Sequence, residues 1–232
     1  MKYAILFWLL AAALSTLAVM QQGLLWLQIL IAVAAVQFAL VGLVYFAGAP
    51  RLFGKTASGQ RRIIAWLPLG LFFLLSRCTL ELYRRTNRRQ APVAEVTPGL
   101  WFARRLTAPE AEALPAKLAG VLDLAGEFPK APLESEAYQT LPLLDGLPVS
   151  DADLRVALDW LAEHTPRGPV LVHCALGHGR TGSIILAWLL SRGEIADLAA
   201  GVARLQELRP GFGISAAQLA RVGQFVSQHC ST

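Results

Sequence analysis

Acidic residues are almost missing from the first ninety positions of this 232-residue chain, where Glu81 stands alone among ten lysines and arginines. Charge is scarce throughout: 16% of residues are charged and 55% are hydrophobic, a balance too apolar for an ordinary soluble domain. Positions 91–232 hold eleven basic and fifteen acidic residues, so the net charge of +5 arises entirely at the N-terminal end. No chain-wide basic patch exists, which excludes a nucleic-acid-binding surface. Cysteine is equally sparse. Cys78, Cys174 and Cys230 are odd in number, far apart and outside any C-x-x-C or Cys/His spacing, which excludes a disulfide framework and a zinc site and suits a reducing compartment. Internal repeats and low-complexity segments are also lacking.

Long uncharged runs are what the N-terminal end does have. Residues 3–20 and 24–47 carry no charge, and each is long enough to cross a hydrocarbon core of about 30 Å at about 1.5 Å per residue. Only Gln21-Gln22-Gly23 separates them, so they read as a transmembrane helical hairpin. A cleaved signal peptide fits less well, because Lys2 alone forms the basic start and no small-x-small site follows. A third apolar run, Ile63 to Leu75, contains Pro68 and Gly70 and is short for a crossing. Residues 63–80 are expected to be interfacial or re-entrant, with a full span as the alternative. Arg51, Lys55, Arg61 and Arg62 precede this run, and Arg77, Arg84, Arg85, Arg88 and Arg89 follow it. The positive-inside tendency then places both clusters, Lys2 and the remainder of the chain in the cytoplasm, against anionic lipid headgroups. The expected organisation is a membrane anchor over 1–90, in an inner or plasma membrane, and one globular domain over 91–232. Cys78 at the boundary is a candidate for acylation, with an unmodified thiol as the simpler reading.

From residue 91 the pattern turns globular. Leu100 to Ala103, Gly120 to Leu124, Tyr138 to Leu143 and Val170 to His173 read as strands. Thr107-Ala108-Pro109-Glu110 opens a helix running to about Leu118, and Ser150 opens another to about His164. Further helices are predicted over Arg180 to Arg192, Glu194 to Leu208, and from Ser215 onward. Alternation of this kind indicates an α/β fold, a central sheet flanked by helices.

Chemistry concentrates in Val170-Leu-Val-His-Cys174-Ala-Leu-Gly177-His-Gly179-Arg180-Thr181-Gly182. A buried strand runs into a loop with two glycines, and an apolar helix follows at once. Successive loop N–H groups and the helix N-terminus make an anion site. Cys174 at its mouth is expected as the thiolate, the nucleophilic form of the side chain. Arg180, six positions on, can grip two phosphoryl oxygens with its planar fork. Thr181 can donate its hydroxyl to the sulfur, and His173 can orient the loop. The phosphate-binding loop is thus Cys174, Ala175, Leu176, Gly177, His178, Gly179 and Arg180, with His178 at a variable position. An inert buried cysteine is the bland alternative for Cys174, and the surrounding H-C-x5-R-T-G pattern argues against it.

These residues resemble the signature of the dual-specificity phosphatases, within the cysteine-dependent protein tyrosine phosphatase superfamily and here of a bacterial type with an N-terminal membrane anchor. The resemblance runs over about 92–226 and includes TPGLWFARRL, GVLDL, LPLLDGLP, HCALGHGRTG and RPGFG. It implies a protein-tyrosine-phosphatase-like sheet and a two-step reaction through a cysteinyl-phosphate, with no metal or other cofactor. It also implies a general acid on a loop upstream of the signature, the place of Asp145 in Asp145-Gly146-Leu147-Pro148. Asp151 and Asp153 are rivals by proximity, but carboxylates in a helix's first turn commonly serve the dipole. Glu127 reads as a solvated loop carboxylate, with a place lining the cleft as the alternative.

The expected substrate is a phosphorylated protein, at tyrosine and also serine or threonine. A phospholipid headgroup, phosphatidylglycerol phosphate or a phosphoinositide, is the alternative. No Lys or Arg lies between Cys174 and Arg180, which speaks against a multiply phosphorylated headgroup. A non-catalytic phospho-ligand-binding membrane adaptor is the third reading, opposed by the joint presence of Cys174, Arg180, Thr181 and Asp145.

Overall fold

The computed structural model describes residues 1–21 and 23–229, so Cys230 lies outside the described residues. Three apolar helices open the chain: α1 (Lys2–Met20), α2 (Leu25–Phe46) and α3 (Trp66–Thr86). All three are long and apolar enough to cross a membrane, α3 when counted from Ile63. The first two pack closely. At Gly42 an added Cβ would fall 2.5 Å from the Trp8 indole, and Trp8 Nε1 donates to Ala39 O at 3.2 Å.

Pro68 and Gly70 do not interrupt α3. Pro68 falls in the first turn of α3, where a missing N–H costs no helical hydrogen bond, and the helix continues unbroken to Thr86. Leu69, Phe73 and Leu80 are its buried residues, and their spacing places them on one face. Leu67, Leu74, Leu75 and Leu82 are exposed, and the same helical period places them on the opposite face.

After a short antiparallel hairpin of β1 (Val93–Thr97) and β2 (Leu100–Ala103) come α4 (Ala108–Glu112), β3 (Leu118–Ala125), β4 (Ser135–Leu143), α5 (Asp151–His164) and β5 (Val170–His173). The helices α6 (Gly179–Ser191), α7 (Leu198–Leu208) and α8 (Ala216–His229) complete the chain. Five strands form one sheet in the order β1-β2-β5-β3-β4, parallel except for the β1 edge. Every residue of β2, β3 and β5 is buried, because a parallel sheet covered on both faces needs continuous apolar strands rather than alternating ones.

Three local expectations change. β1 was not foreseen; its VAEVT sequence is half-buried and short, and it is held by the turn at Gly99, where φ is +80°. The helix after Thr107 stops at Glu112 instead of Leu118, since Pro115 disfavours helical backbone at Leu114 and β3 claims Leu118. α7 begins at Leu198, where the Asp197 side chain accepts from Ala200 N.

The segment joining α2 to α3 lies on the sheet. Lys55 Nζ reaches Asp123 of β3 at 2.6 Å, Arg61 donates to Gly126 O, Lys130 N donates to Gly59 O, and Thr140 donates to Thr56 O. The segment between α2 and α3 thus contacts β3, β4 and the loop that joins them.

Candidate active site

β5 ends at His173, and the chain turns through Cys174 to His178 before α6 begins at Gly179. The loop folds tightly because its carbonyls are taken from outside. Arg105 N donates to Ala175 O, and buried Arg209 donates to Leu176 O and Gly177 O. Carbonyls engaged outward turn successive N–H groups toward a common centre, the form of an anion nest. Gly177 permits the turn with φ of +71°; a Cβ there would lie 2.3 Å from Arg209 Nη1 and 2.6 Å from the Ala103 carbonyl.

Cys174 is buried, and Gly177 N–H donates to its sulfur at 3.2 Å. That contact and the adjoining α6 N-terminus place partial positive charge beside the sulfur. Arg180 is fully buried and bound end-on by Glu127, Nη1 to Oε2 and Nη2 to Oε1, each at 2.7 Å. Nη2 also lies 3.1 Å from Asp145 Oδ1. Burial works against its charge, but Glu127, Asp145 and Cys174 outweigh it and hold the guanidinium protonated. Arg180 Nε and Thr181 Oγ1 are buried without a hydrogen-bond partner among the described residues. Buried donors without partners are costly in an apolar interior, and both sit on the α6 turn that follows the nest.

Sequence reasoning placed Cys174, Arg180, Thr181 and Asp145 together, and the structure brings Asp145 to Arg180 while Asp151 and Asp153 go elsewhere. Asp153 pairs with the Ser150 cap of α5, and Asp151 lies 3.0 Å from Arg221. Glu127 corrects the sequence reading: it is buried against Arg180, not solvated. Arg209, within the RPGFG segment, has no role legible in the sequence, and its loop contacts supply one. Gln218 of α8 was missed as well. Its side chain packs over Gly179 and donates to Leu147 O, two residues beyond Asp145.

His178 faces away from the nest. Gly213 N–H donates to its Nδ1 at 3.2 Å, so the ring proton sits on Nε2, 2.7 Å from Tyr83 of α3. Burial first, then Arg209, pushes its pKa down to about 4, so it stays neutral. His173 is fully buried with Nδ1–H directed at Cys174 O and Nε2 facing Asp123 Oδ1 at 3.8 Å. Burial pushes its pKa below the ordinary histidine value, against the pull of Asp123.

Side chains of the opening helices border these loops. Tyr3 packs on Gly146 beside Asp145, Tyr45 packs with Leu144 within electrostatic reach of Asp145 and Arg180, and Leu80 packs with Ala125, Phe128, Ala175 and Leu176.

Residues 122–221 match the family PTP-SAK, described as "Swiss Army Knife protein, DSP-PTPase phosphatase domain". Among curated proteins none matches the chain. Of solved structures, human DUSP28 shares 18% identity over 60% of this chain and 95% of its own, with a TM-score of 0.53. The human tyrosine phosphatase-like serine/threonine/tyrosine-interacting protein shares 15% over 60% and 98%, at 0.52. PTPMT1 in complex with PI(5)P shares 15% over 60% and 96%, at 0.50. At such identities the likeness concerns the fold. Residues 122–221 thus resemble a phosphatase domain of the dual-specificity, protein tyrosine phosphatase type, and the later part of the chain shares the fold of these structures.

Proposed function

We propose that the chain is a membrane-anchored, cysteine-dependent phosphatase that hydrolyses a phosphate monoester presented at the bilayer surface. The observation that carries the chemistry is Arg180, buried and clamped by Glu127 through both terminal nitrogens, next to a nest that opens on Cys174. In the first step the Cys174 thiolate attacks phosphorus. The S–P bond forms as the ester P–O bond breaks, and Asp145 gives its proton to the departing oxygen. In the second, water attacks phosphorus and gives a proton to Asp145. The S–P bond breaks, Thr181 donates to the released sulfur, and inorganic phosphate leaves. Arg180 and the loop N–H groups oppose the charge that spreads over the phosphoryl oxygens.

Sequence alone favours a phosphorylated protein; the cleft rim favours a lipid phosphate. Tyr3, Tyr45 and Leu80 come from three apolar helices and converge beside Asp145 and the phosphate loop, so the opening adjoins the bilayer. The loop has no Lys or Arg between Cys174 and Arg180, which suits a single terminal phosphate. That same neutrality suits phosphotyrosine, which stays the second reading.

The test is phosphate release by full-length protein in lipid bilayers, comparing phosphatidylglycerol phosphate with phosphotyrosine peptides. Lipid is expected to turn over faster, and peptide preference would restore the second reading. Cys174→Ser should abolish release yet retain binding of inorganic phosphate. Unchanged release in that variant would refute the cysteinyl-phosphate route.

A further inference from the structure

We propose that the opening helices seat the loop that carries Asp145, with Tyr3 of α1 as a positioning residue that acts on Asp145 by packing against its neighbour Gly146. The proposal rests on the reading of Asp145 as the proton donor and adds to the active site a member from the membrane anchor.

The chain changes cores at this loop. Leu143, the last residue of β4, is buried in the main core under the sheet, and so is Val149, just before α5. The leucines between them go elsewhere. Leu144 is buried in a second cluster with Ala4 of α1, Val44 and Tyr45 of α2 and Leu69 of α3, and Leu147 packs against the same cluster. Burial of apolar surface is what fixes an otherwise polar loop, so the turn takes its place from the helices. Its tip is Asp145-Gly146, where Gly146 has a φ of +72°.

Tyr3 closes on that tip. Its ring and hydroxyl fill the space in which any side chain at residue 146 would stand, so the phenol bears directly on the backbone next to Asp145. Tyr3 is braced in turn by Tyr45, with ring centroids 5.7 Å apart, and Tyr45 by Phe7 at 5.3 Å. From the other side, Gln218 Nε2 donates to Leu147 O at 3.1 Å and Arg180 Nη2 lies 3.1 Å from Asp145 Oδ1. The Asp145 side chain is 63% exposed and has little packing of its own, so its position is that of the turn beneath it.

A proton donor displaced by about 1 Å can lose about 10²-fold in rate, and the loss shows where the leaving oxygen needs a proton. Tyr3→Ala removes the ring from Gly146 while Cys174, Arg180 and Asp145 all remain. If Tyr3 positions Asp145, kcat for an alkyl phosphate falls roughly 10–100-fold and kcat for p-nitrophenyl phosphate much less. On the alkyl phosphate, Tyr3→Ala then adds nothing to Asp145→Asn, because residues that act as a unit are not additive. If Tyr3 only supports the fold, both substrates lose alike and the two substitutions multiply.

The experiment uses the full chain in bilayers, measuring kcat and KM for both substrates in the wild type, Tyr3→Ala, Asp145→Asn and the double variant, with thermal unfolding alongside. The expected result is a loss that depends on the leaving group and vanishes in the Asp145→Asn background. An equal fall on the two substrates, multiplied effects in the double variant, or no fall at all would overturn the proposal. Should Tyr3→Ala fail to fold, Leu147→Ala loosens the same seat from the loop side and decides by the same comparison. Asp145→Asn slowing both substrates equally would instead overturn the proton-donor reading beneath it.

Discussion

Asp145 shows what a single side chain can and cannot announce. Its carboxylate lies 3.1 Å from Arg180 while its side chain is 63% exposed, as suits a group that must meet both a substrate oxygen and water. If it is the proton donor, its worth depends on the group that leaves. Asp145→Asn is expected to lower kcat by about 10²–10⁴ for an alkyl phosphate and far less for p-nitrophenyl phosphate, whose leaving oxygen needs little protonation. Rates for a series of leaving groups check this, and an equal fall across the series would remove Asp145 from the role. Cys174, Arg180 and Thr181 were legible because they lie within eight positions and share one loop and turn. Glu127 was not, because its partner is 53 residues away and nothing local distinguishes a buried carboxylate from a solvated one. Arg209 was hidden for the same reason, with its loop partners 32 and 33 residues away.

α4 is the smallest helix, and its start carries a charge device. Glu110 accepts from Thr107 N at 2.9 Å and takes a two-pronged contact from Arg104 at 2.6 and 3.0 Å. Burial raises the Glu110 pKa, but the Arg104 and Thr107 hydrogen bonds outweigh it and hold it below the ordinary glutamate value. A carboxylate lowered in the folded state stabilises above its unfolded pKa and loses that contribution as pH falls through the folded one. Glu110→Gln should therefore unfold earlier than wild type near neutral pH, and the difference should close as pH drops below about 4.3. Thermal scans over that range check it; a gap that persists in acid would assign the effect to packing. Strands β2 and β5 were readable to the residue because continuous apolar runs have no competing use in a loop. α3 was harder to read. Its length depends on residues 76–86, whose arginines look like the end of an apolar segment; Arg84 donates to Arg105 O, just past β2, and Arg85 pairs with Glu81 of the same helix.

At the scale of the whole molecule, contacts as well as hydropathy bear on the side of the membrane that we propose. Tyr3 near the start of α1 and Tyr45 near the end of α2 both meet the loop around Asp145, and Lys55 pairs with β3. A hairpin whose two ends touch the phosphatase domain holds that domain on its own open side, and a crossing by α3 would carry it to the other. We expect α3 to lie along the surface with Leu67, Leu74 and Leu82 toward lipid, and the phosphatase domain to be cytoplasmic with Lys2. In a Cys78→Ser/Cys230→Ser background, an impermeant maleimide added to intact cells should label Gly23→Cys. Gly193→Cys should react only after lysis; the reverse pattern would sink this topology.

The Lys55–Asp123 pair also decides what becomes of the molecule when it is cut. Scission within residues 87–92 would separate the phosphatase domain covalently from Lys55, Tyr83 and the aromatic rim. A fragment that then diffused away would carry Cys174 and Arg180 intact but bury Asp123 without its ammonium partner. On the proposed function, shedding is expected to lower phosphate release instead of setting the enzyme free, which release before and after scission would show.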